Sequence, residues 1–206
     1  MIFSYSCLNY AWITLNSFNG NISNMNRLTN EIKFELENDI LIQTYEANIF
    51  YESRLKTLPR IYKKMKKNIN LISKNNIYNN NYDDKLSNII DQNKNLDLLF
   101  EEYLPRDILG IRIIYNLPIK NSEFFSYIIL DKIKNKFQIL ENTYIKDYIK
   151  SPKKNGYKSI HFNIEDNGII YEIQIRNLNM DYTAKNGSAS NYYFNYYNDY
   201  SNYYHF

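Results

Sequence analysis

The sequence predicts an α/β domain, a mixed sheet flanked by helices. Three observations carry this. Periodic segments follow one another as helix, helix, strand, helix, strand, strand, helix; Tyr171 to Arg176 alternates apolar and polar residues; and Asp166-Asn167-Gly168 joins that strand to an earlier one through a hairpin signal.

Each element has its own warrant. Met25 to Tyr51 reads as a helix, because Leu28, Ile32, Leu36, Ile40 and Ile42 recur near helical spacing with acidic residues between them. A turn is expected at Glu52-Ser53. A basic segment runs from Arg54 to Lys67, and Pro59 suits a first helical turn, so Arg60 to Lys67 is expected to be helical. Asn68 to Asn95 holds Asn75-Asn76-Ile77-Tyr78-Asn79-Asn80-Asn81 and little apolar periodicity, which reads as a low-complexity insertion. Order resumes at Asp97 to Tyr103. Ile108 to Tyr115 has a buried-strand pattern, and Phe124 to Phe137 carries an apolar stripe of Phe124, Phe125, Ile128, Ile129 and Ile133. Asp147 to Lys158 is a turn-rich loop around Pro152 and Gly156. Strands are expected at Ser159 to Glu165 and Ile169 to Arg176, and a closing helix from Met180 to about Tyr197. The chain thus divides into an N-terminal extension (1–24), a domain (25–197) with an insertion at 68–96, and a polar, aromatic tail (198–206).

Composition narrows the chemistry. The net charge of +3 gives no reason to expect non-specific nucleic-acid binding. A single cysteine, Cys7, rules out an intramolecular disulfide, and two histidines, His161 and His205, rule out a histidine-rich metal site. No apolar run approaches transmembrane length. Met1 to Phe18 lacks a basic residue ahead of its apolar part and is a poor secretory signal. A cytoplasmic protein is the expectation, with a plastid-type organelle as the alternative if the N-terminal segment is a targeting leader.

Strand parity sorts the candidate residues. Tyr171, Ile173 and Ile175 should face the core, which sends Glu172, Gln174 and Arg176 to the opposite face. That row suits a metal, proton or phosphate site; the alternative is a solvated sheet face. His161, Ser159 and Asn163 share a polar face of the preceding strand, which would stand His161 beside Glu172. The loop from Lys146 to Lys158 carries five lysines, suited to a polyphosphate, and Tyr157 is suited to stack on a base. Arg60, Lys63, Lys64 and Lys67 share one helical face, where like charges repel unless an anion answers them. Asp107 opens a strand in which Arg112 interrupts an apolar run. The two have opposite parity, so either Gly110 hosts a bulge or Asp107 lies just ahead of the strand.

These blocks resemble a known family. Asp147 to His161 is similar to the DYIxxPKxNGYxSxH signature of RelA/SpoT synthetase domains. Glu172-Ile173-Gln174-Ile175-Arg176 resembles their E-(V/I)-Q-I-R strand, and Asp107 to Arg112 their D-(I/L)-x-(G/A)-(I/V)-R strand. Arg54-Leu55-Lys56, followed by Ile61 to Met65, resembles their ATP-side RxK…SIxxKM segment. The resemblance implies a nucleotidyltransferase-like fold and transfer of pyrophosphate from ATP to the 3′-hydroxyl of GDP or GTP. It implies Asp107 and Glu172 as catalytic and magnesium carboxylates. Arg54, Lys56, Lys64 and Arg112 would bind ATP. Lys146, Lys153, Asn155, Tyr157, His161, Gln174 and Arg176 would serve the acceptor guanine nucleotide. A stable nucleic-acid or membrane partner is not expected; a homo-oligomer is compatible with the reading. The hydrolase half of long family members needs a His–Asp metal site, which two histidines do not supply.

Departures from the family pattern are Ser53 for glycine, Arg60 for serine, Asn177 for threonine, Lys185 for glutamate and Asn191 for histidine. They border the acceptor side. They keep two alternatives in view: a guanine-nucleotide-binding module without turnover, and a transferase acting on another acceptor such as an adenine nucleotide or tRNA.

Overall fold

The computed structural model describes residues 19–57, 60–61, 63–64, 107–118, 120, 122–140 and 144–187. These fall into two compact units. The larger holds residues 19–55 and 109–187; the smaller holds 56–57, 60–61, 63–64 and 107–108. Residues 1–18, the whole insertion at 68–96, Asp97 to Tyr103 and the tail lie outside the described residues, while residues 19–24, expected in the N-terminal extension, are part of the first helix.

The larger unit opens with α1 (Asn19–Glu37). Met25, Leu28, Ile32 and Leu36 are buried along one face, at the spacing that makes a helix amphipathic. The expected continuation to Tyr51 is overturned. The Asp39 side chain accepts from the Ile42 amide at 3.0 Å and caps a separate helix, α2 (Ile40–Thr44). Ile40 is left 79% exposed, although helical periodicity counted it as core. Glu46, at φ 50°, then turns the chain into β1 (Asn48–Leu55). Glu52 and Ser53, expected in a turn, lie inside this strand, and so does Arg54. Pairing along the whole strand overrides a local pattern that shows no alternation.

The remaining elements follow the expected order, with an unexpected two-residue strand added at Lys146–Asp147. They are β2 (Leu109–Asn116), a 3-10 turn (Ser122–Phe124), α3 (Phe125–Lys136), a two-residue β3 (Lys146–Asp147), β4 (Ile160–Asp166), β5 (Ile169–Asn177) and α4 (Leu178–Asn186). The sheet order is β1-β2-β5-β4-β3. Only β2 and β5 pair in parallel, so the sheet is mixed, as the sequence implies.

One face of the sheet is apolar. Ile111, Ile113, Tyr115, Phe162, Ile164, Tyr171, Ile173 and Ile175 are all buried there, covered by α1 and α3. Two contacts seat the helices. Thr29 Oγ1 meets Ser53 Oγ at 2.9 Å, and the Tyr115 ring meets Phe125 edge-on at 5.0 Å. The buried Tyr115 hydroxyl reaches the Ser122 carbonyl at 2.9 Å and Ser126 Oγ at 2.8 Å, so its burial leaves no lost hydrogen bond. Of the expected stripe on α3, Phe125, Ile129 and Ile133 are buried, while Phe124 is 40% exposed.

The closing helix begins earlier than Met180. Asn177 caps it by accepting from the Met180 amide at 2.8 Å, and Gly187 ends it; residues 188–197 lie outside the described residues. The hairpin between β4 and β5 turns on Asn167 (φ 51°) and Gly168 (φ 75°), the two left-handed residues of a two-residue loop matched to strand twist. Because nothing lies within 4 Å of a Cβ placed at Gly168, its substitution tests backbone conformation alone. Gly168→Ala should lower unfolding free energy by about 1 kcal/mol in chemical denaturation, without altering the sheet.

Candidate active site

The opposite face of the sheet is polar, and register explains which side chains meet on it. Glu52, Arg112, Gln174, His161 and Lys146 are direct cross-strand neighbours, one from each of the five strands. A second row, Arg54, Gly110, Glu172 and Asn163, runs beside it. The pairing is continuous through Gly110, so no bulge forms there. Asp107 instead lies in a turn ahead of β2. A Cβ on Gly110 would meet only backbone oxygens, Glu172 O at 3.4 Å and Arg54 O at 3.9 Å. The glycine stands between Arg54 and Glu172 in this row and adds no side chain to it.

The row around Glu172 is not a solvated face. Its carboxylate is 16% exposed, Gln174 is 6% and Arg176 2%. Gln174 Nε2 donates to Glu172 Oε2 at 2.6 Å, and His161 Nδ1 meets Glu172 Oε1 at 3.1 Å. A carboxylate only accepts, so His161 Nδ1 carries the proton. Burial pushes the imidazole below the usual histidine range despite the pull of Glu172, so the ring is neutral at pH 7. Its Nε2 then accepts from the Tyr157 hydroxyl at 2.7 Å. On the other side, Arg176 donates from Nη2 to Gln174 Oε1, and its Nη1 lies 3.3 Å from Asp181. The buried Arg176 Nε has no hydrogen-bond partner among the described residues. Burial, reinforced by Arg112, lowers this guanidinium's pKa.

Arg112 finds its partner on β1. Its Nη1 lies 3.1 Å from Glu52 Oε2, and its Nε reaches Gln174 Oε1 at 3.4 Å. Lys185 of α4 bridges the same Glu52 at 2.7 Å and Asp181 at 2.9 Å.

The lysine-rich loop is shaped by its own side chains. Asp147 Oδ1 accepts from the amides of Ile149 and Lys150 at 3.0 and 2.9 Å, and Oδ2 accepts from the Tyr127 hydroxyl at 3.0 Å. Gly156 (φ 77°) closes the tip by donating to the Lys153 carbonyl at 2.8 Å, and Asn155 Oδ1 accepts from the Tyr157 amide at 3.3 Å. The Lys153 ammonium sits 4.4 Å from the Tyr148 ring centre and 4.9 Å from that of Tyr157. Burial first, then Lys146, lowers the Lys153 pKa. Lys158 is committed elsewhere, to Glu123 at 2.8 Å. A cleft of about 440 Å³ opens beside Gly156, bordered by Lys158, Asn177, Asn179, Met180 and Thr183.

In the smaller unit, residues 60, 61, 63 and 64 are helical, and Lys56 and Lys64 both pair with Asp107 Oδ2. Burial alone would raise the Asp107 carboxyl; the hydrogen bonds from Lys56 and Lys64 outweigh it and hold the group below the usual carboxylate range. Asp107 Oδ1 is buried without a hydrogen-bond partner among the described residues. Such an oxygen suits a hard cation, and magnesium typically takes one or two carboxylates plus substrate phosphates. Among the described residues there is no group of three His, Cys, Asp or Glu that could hold a metal.

A family model described as a region found in RelA / SpoT proteins matches residues 53–199. The chain belongs to the RelA/SpoT family. A guanosine-3′,5′-bis(diphosphate) 3′-pyrophosphohydrolase of Spiroplasma citri is 31% identical over 159 residues, 77% of this chain and 16% of that protein. The GTP pyrophosphokinase YwaC of Bacillus subtilis is 37% identical over 86 residues, 38% of each chain. Among solved structures, small alarmone synthetase 1 of Bacillus subtilis bound to its product pppGpp aligns with a TM-score of 0.48 at 19% identity, covering 86% of this chain and 82% of that one. The chain spans only 11–16% of the length of pyrophosphohydrolases it matches. No described helix is long and apolar enough to cross a membrane.

Within this RelA/SpoT domain, sequence parity brought Glu172, Gln174, Arg176 and His161 together correctly. It missed Glu52 and Asp181 as partners of the two arginines. Recognising β1 as a strand would have exposed Glu52, which shares parity with Arg54. Burial pulls the Glu52 carboxyl upward, but Lys185 and Arg112 hold it below its ordinary value. Stability from its ion pairs is therefore complete above the ordinary glutamate pKa of about 4.3 and fades as pH falls further. Thermal unfolding of Glu52→Gln should lose this part of the acid dependence and match wild type more closely at pH 3 than at pH 7.

Proposed function

We propose that this chain transfers a pyrophosphoryl group from ATP to the 3′-hydroxyl of GDP or GTP. The observation that carries the reading is the half-buried Glu172 carboxylate, held from both sides on the sheet face that also bears Arg54 and Arg112. In the reaction the acceptor 3′-oxygen bonds to the β-phosphorus of ATP while the bond from that phosphorus to the α,β-bridging oxygen breaks. AMP leaves with that oxygen. The proton of the 3′-hydroxyl passes to a base, and Glu172 is the proposed acceptor. Such a transfer asks the protein mainly for positioning and charge neutralisation.

The remaining roles follow from residue type. Arg54 and Arg112 present flat guanidiniums for the adenine, and Lys56 and Lys64 supply point charges for its phosphates. Tyr157 offers a ring for guanine, fixed in orientation by the bond of its hydroxyl to His161. Lys146 and Lys153 line the acceptor's phosphate path, His161 serves the acceptor by orienting Tyr157, and Asn155 holds the turn that presents Tyr157. Gln174 and Arg176 brace Glu172. Asp107, through its buried and unanswered Oδ1, would hold magnesium, which when bound neutralises charge on the transferring phosphates.

The pyrophosphohydrolase relatives do not argue for hydrolysis here. The match covers a small part of their length, and the sequence holds only His161 and His205 for a histidine–aspartate metal site. Nucleotide binding without turnover is the second reading, because Lys185 stands where family members carry glutamate.

Incubation with ATP, GDP and magnesium should yield AMP and a guanosine tetraphosphate, separable by anion-exchange chromatography; bound but unchanged nucleotides would favour the second reading. Asp107→Asn and Glu172→Gln should each abolish product formation while circular dichroism stays native, and full activity in both would refute the site. Tyr157→Ala should weaken acceptor binding by about 1–3 kcal/mol in calorimetry, the worth of one base–aromatic stack.

A further inference from the structure

Six side chains close a ring over the sheet where α4 crosses it. Arg112 Nη1 reaches Glu52 Oε2 at 3.1 Å, and Glu52 Oε1 meets Lys185 Nζ at 2.7 Å. The same ammonium lies 2.9 Å from Asp181 Oδ2, and Asp181 Oδ1 lies 3.3 Å from Arg176 Nη1. Both arginines then converge on Gln174 Oε1. Cations and carboxylates alternate around the ring until the glutamine closes it. Each carboxylate turns one oxygen to Lys185 and the other toward an arginine; the Asp181 approach to Arg176 is an ion pair without a hydrogen bond.

We propose that Lys185 is a positioning residue that fixes the Arg112 guanidinium through Glu52 and thereby sets ATP affinity. The part concerning ATP rests on the role proposed above for Arg112. Glu52 is 39% exposed and sits on an edge strand, so its pair with Arg112 alone would be a loose surface contact. Lys185 ties Glu52 to a helix whose other end of the link, Asp181, is only 8% exposed. The tie turns a pair into a network with one geometry. A glutamate at 185 would set a third carboxylate beside Glu52 and Asp181, whereas lysine answers both.

The test uses the full chain and three variants. Lys185→Met keeps the stem and removes the charge; Lys185→Arg restores a cation; Glu52→Gln removes the intermediary. Two readouts are followed: kcat and KM for ATP, and the Nε–Hε resonance of Arg112, assigned with Arg112→Lys. Lys185→Met should raise KM for ATP roughly three- to fivefold with kcat within a factor of about two, and should shift or broaden the Arg112 resonance. Lys185→Arg should recover both. The double variant Lys185→Met/Glu52→Gln should match Glu52→Gln alone, because the lysine acts through the glutamate. An unmoved Arg112 resonance in Lys185→Met, no recovery in Lys185→Arg, or additive losses in the double variant would overturn the proposal. A wild-type protein that makes no tetraphosphate would defeat the proposed reaction, while the Arg112 resonance would still decide the role of Lys185.

Discussion

Keeping a half-buried carboxylate on a sheet face is the constraint on which the site depends. Glu172 sits on a central strand with paired neighbours on both sides, so water reaches it poorly. A buried carboxylate is tolerable only when hydrogen-bond donors surround it. Gln174 supplies one along its own strand and His161 another across the sheet. Each donor must then be oriented in turn. The Tyr157 hydroxyl fixes the imidazole, and the two arginines fix the Gln174 oxygen, which leaves its amide nitrogen free to point at Glu172. The polar half of the larger unit is thus a set of nested requirements, each created by satisfying the one before.

The smaller unit meets the same problem by a different route. Asp107 is also half-buried, but its compensation is ionic: two lysines share one oxygen. The basic run from Arg54 to Lys67 thereby gains a physical reason beyond the binding of an anion. Lys64 lies on a helical surface with other cations, where repulsion would cost stability, and Asp107 answers it.

Legibility in the sequence followed the range of the interactions. Strand β5 was readable because strict alternation over Tyr171 to Arg176 encodes both of its faces at once, the core and the Glu172 row. The hairpin was readable because Asn167-Gly168 is local chemistry. Strand β1 was not readable. It is an edge strand whose outer positions, such as Phe50 at 52% exposure, do not follow a polar rule, and its partner β2 lies across a long intervening segment. The helix expected there ran on because Ile40 and Ile42 fitted the helical period, and nothing in that period reveals that Asp39 caps a new helix. The contacts of Glu52, Asp181 and Lys185 were hidden for the same reason: they join elements whose adjacency no short pattern encodes.

Gly110 shows what the fold gives up for its site. A residue without a side chain within a strand is about 0.5–1 kcal/mol worse than alanine. The backbone here would accept a Cβ at ordinary contact distance, so crowding is no reason for its absence. A chain selected for foldedness alone would fill the position, and the sheet would be firmer for it. Between the strands that carry Arg54 and Glu172, the polar row passes over bare backbone, and the strand bears the cost of that thinness.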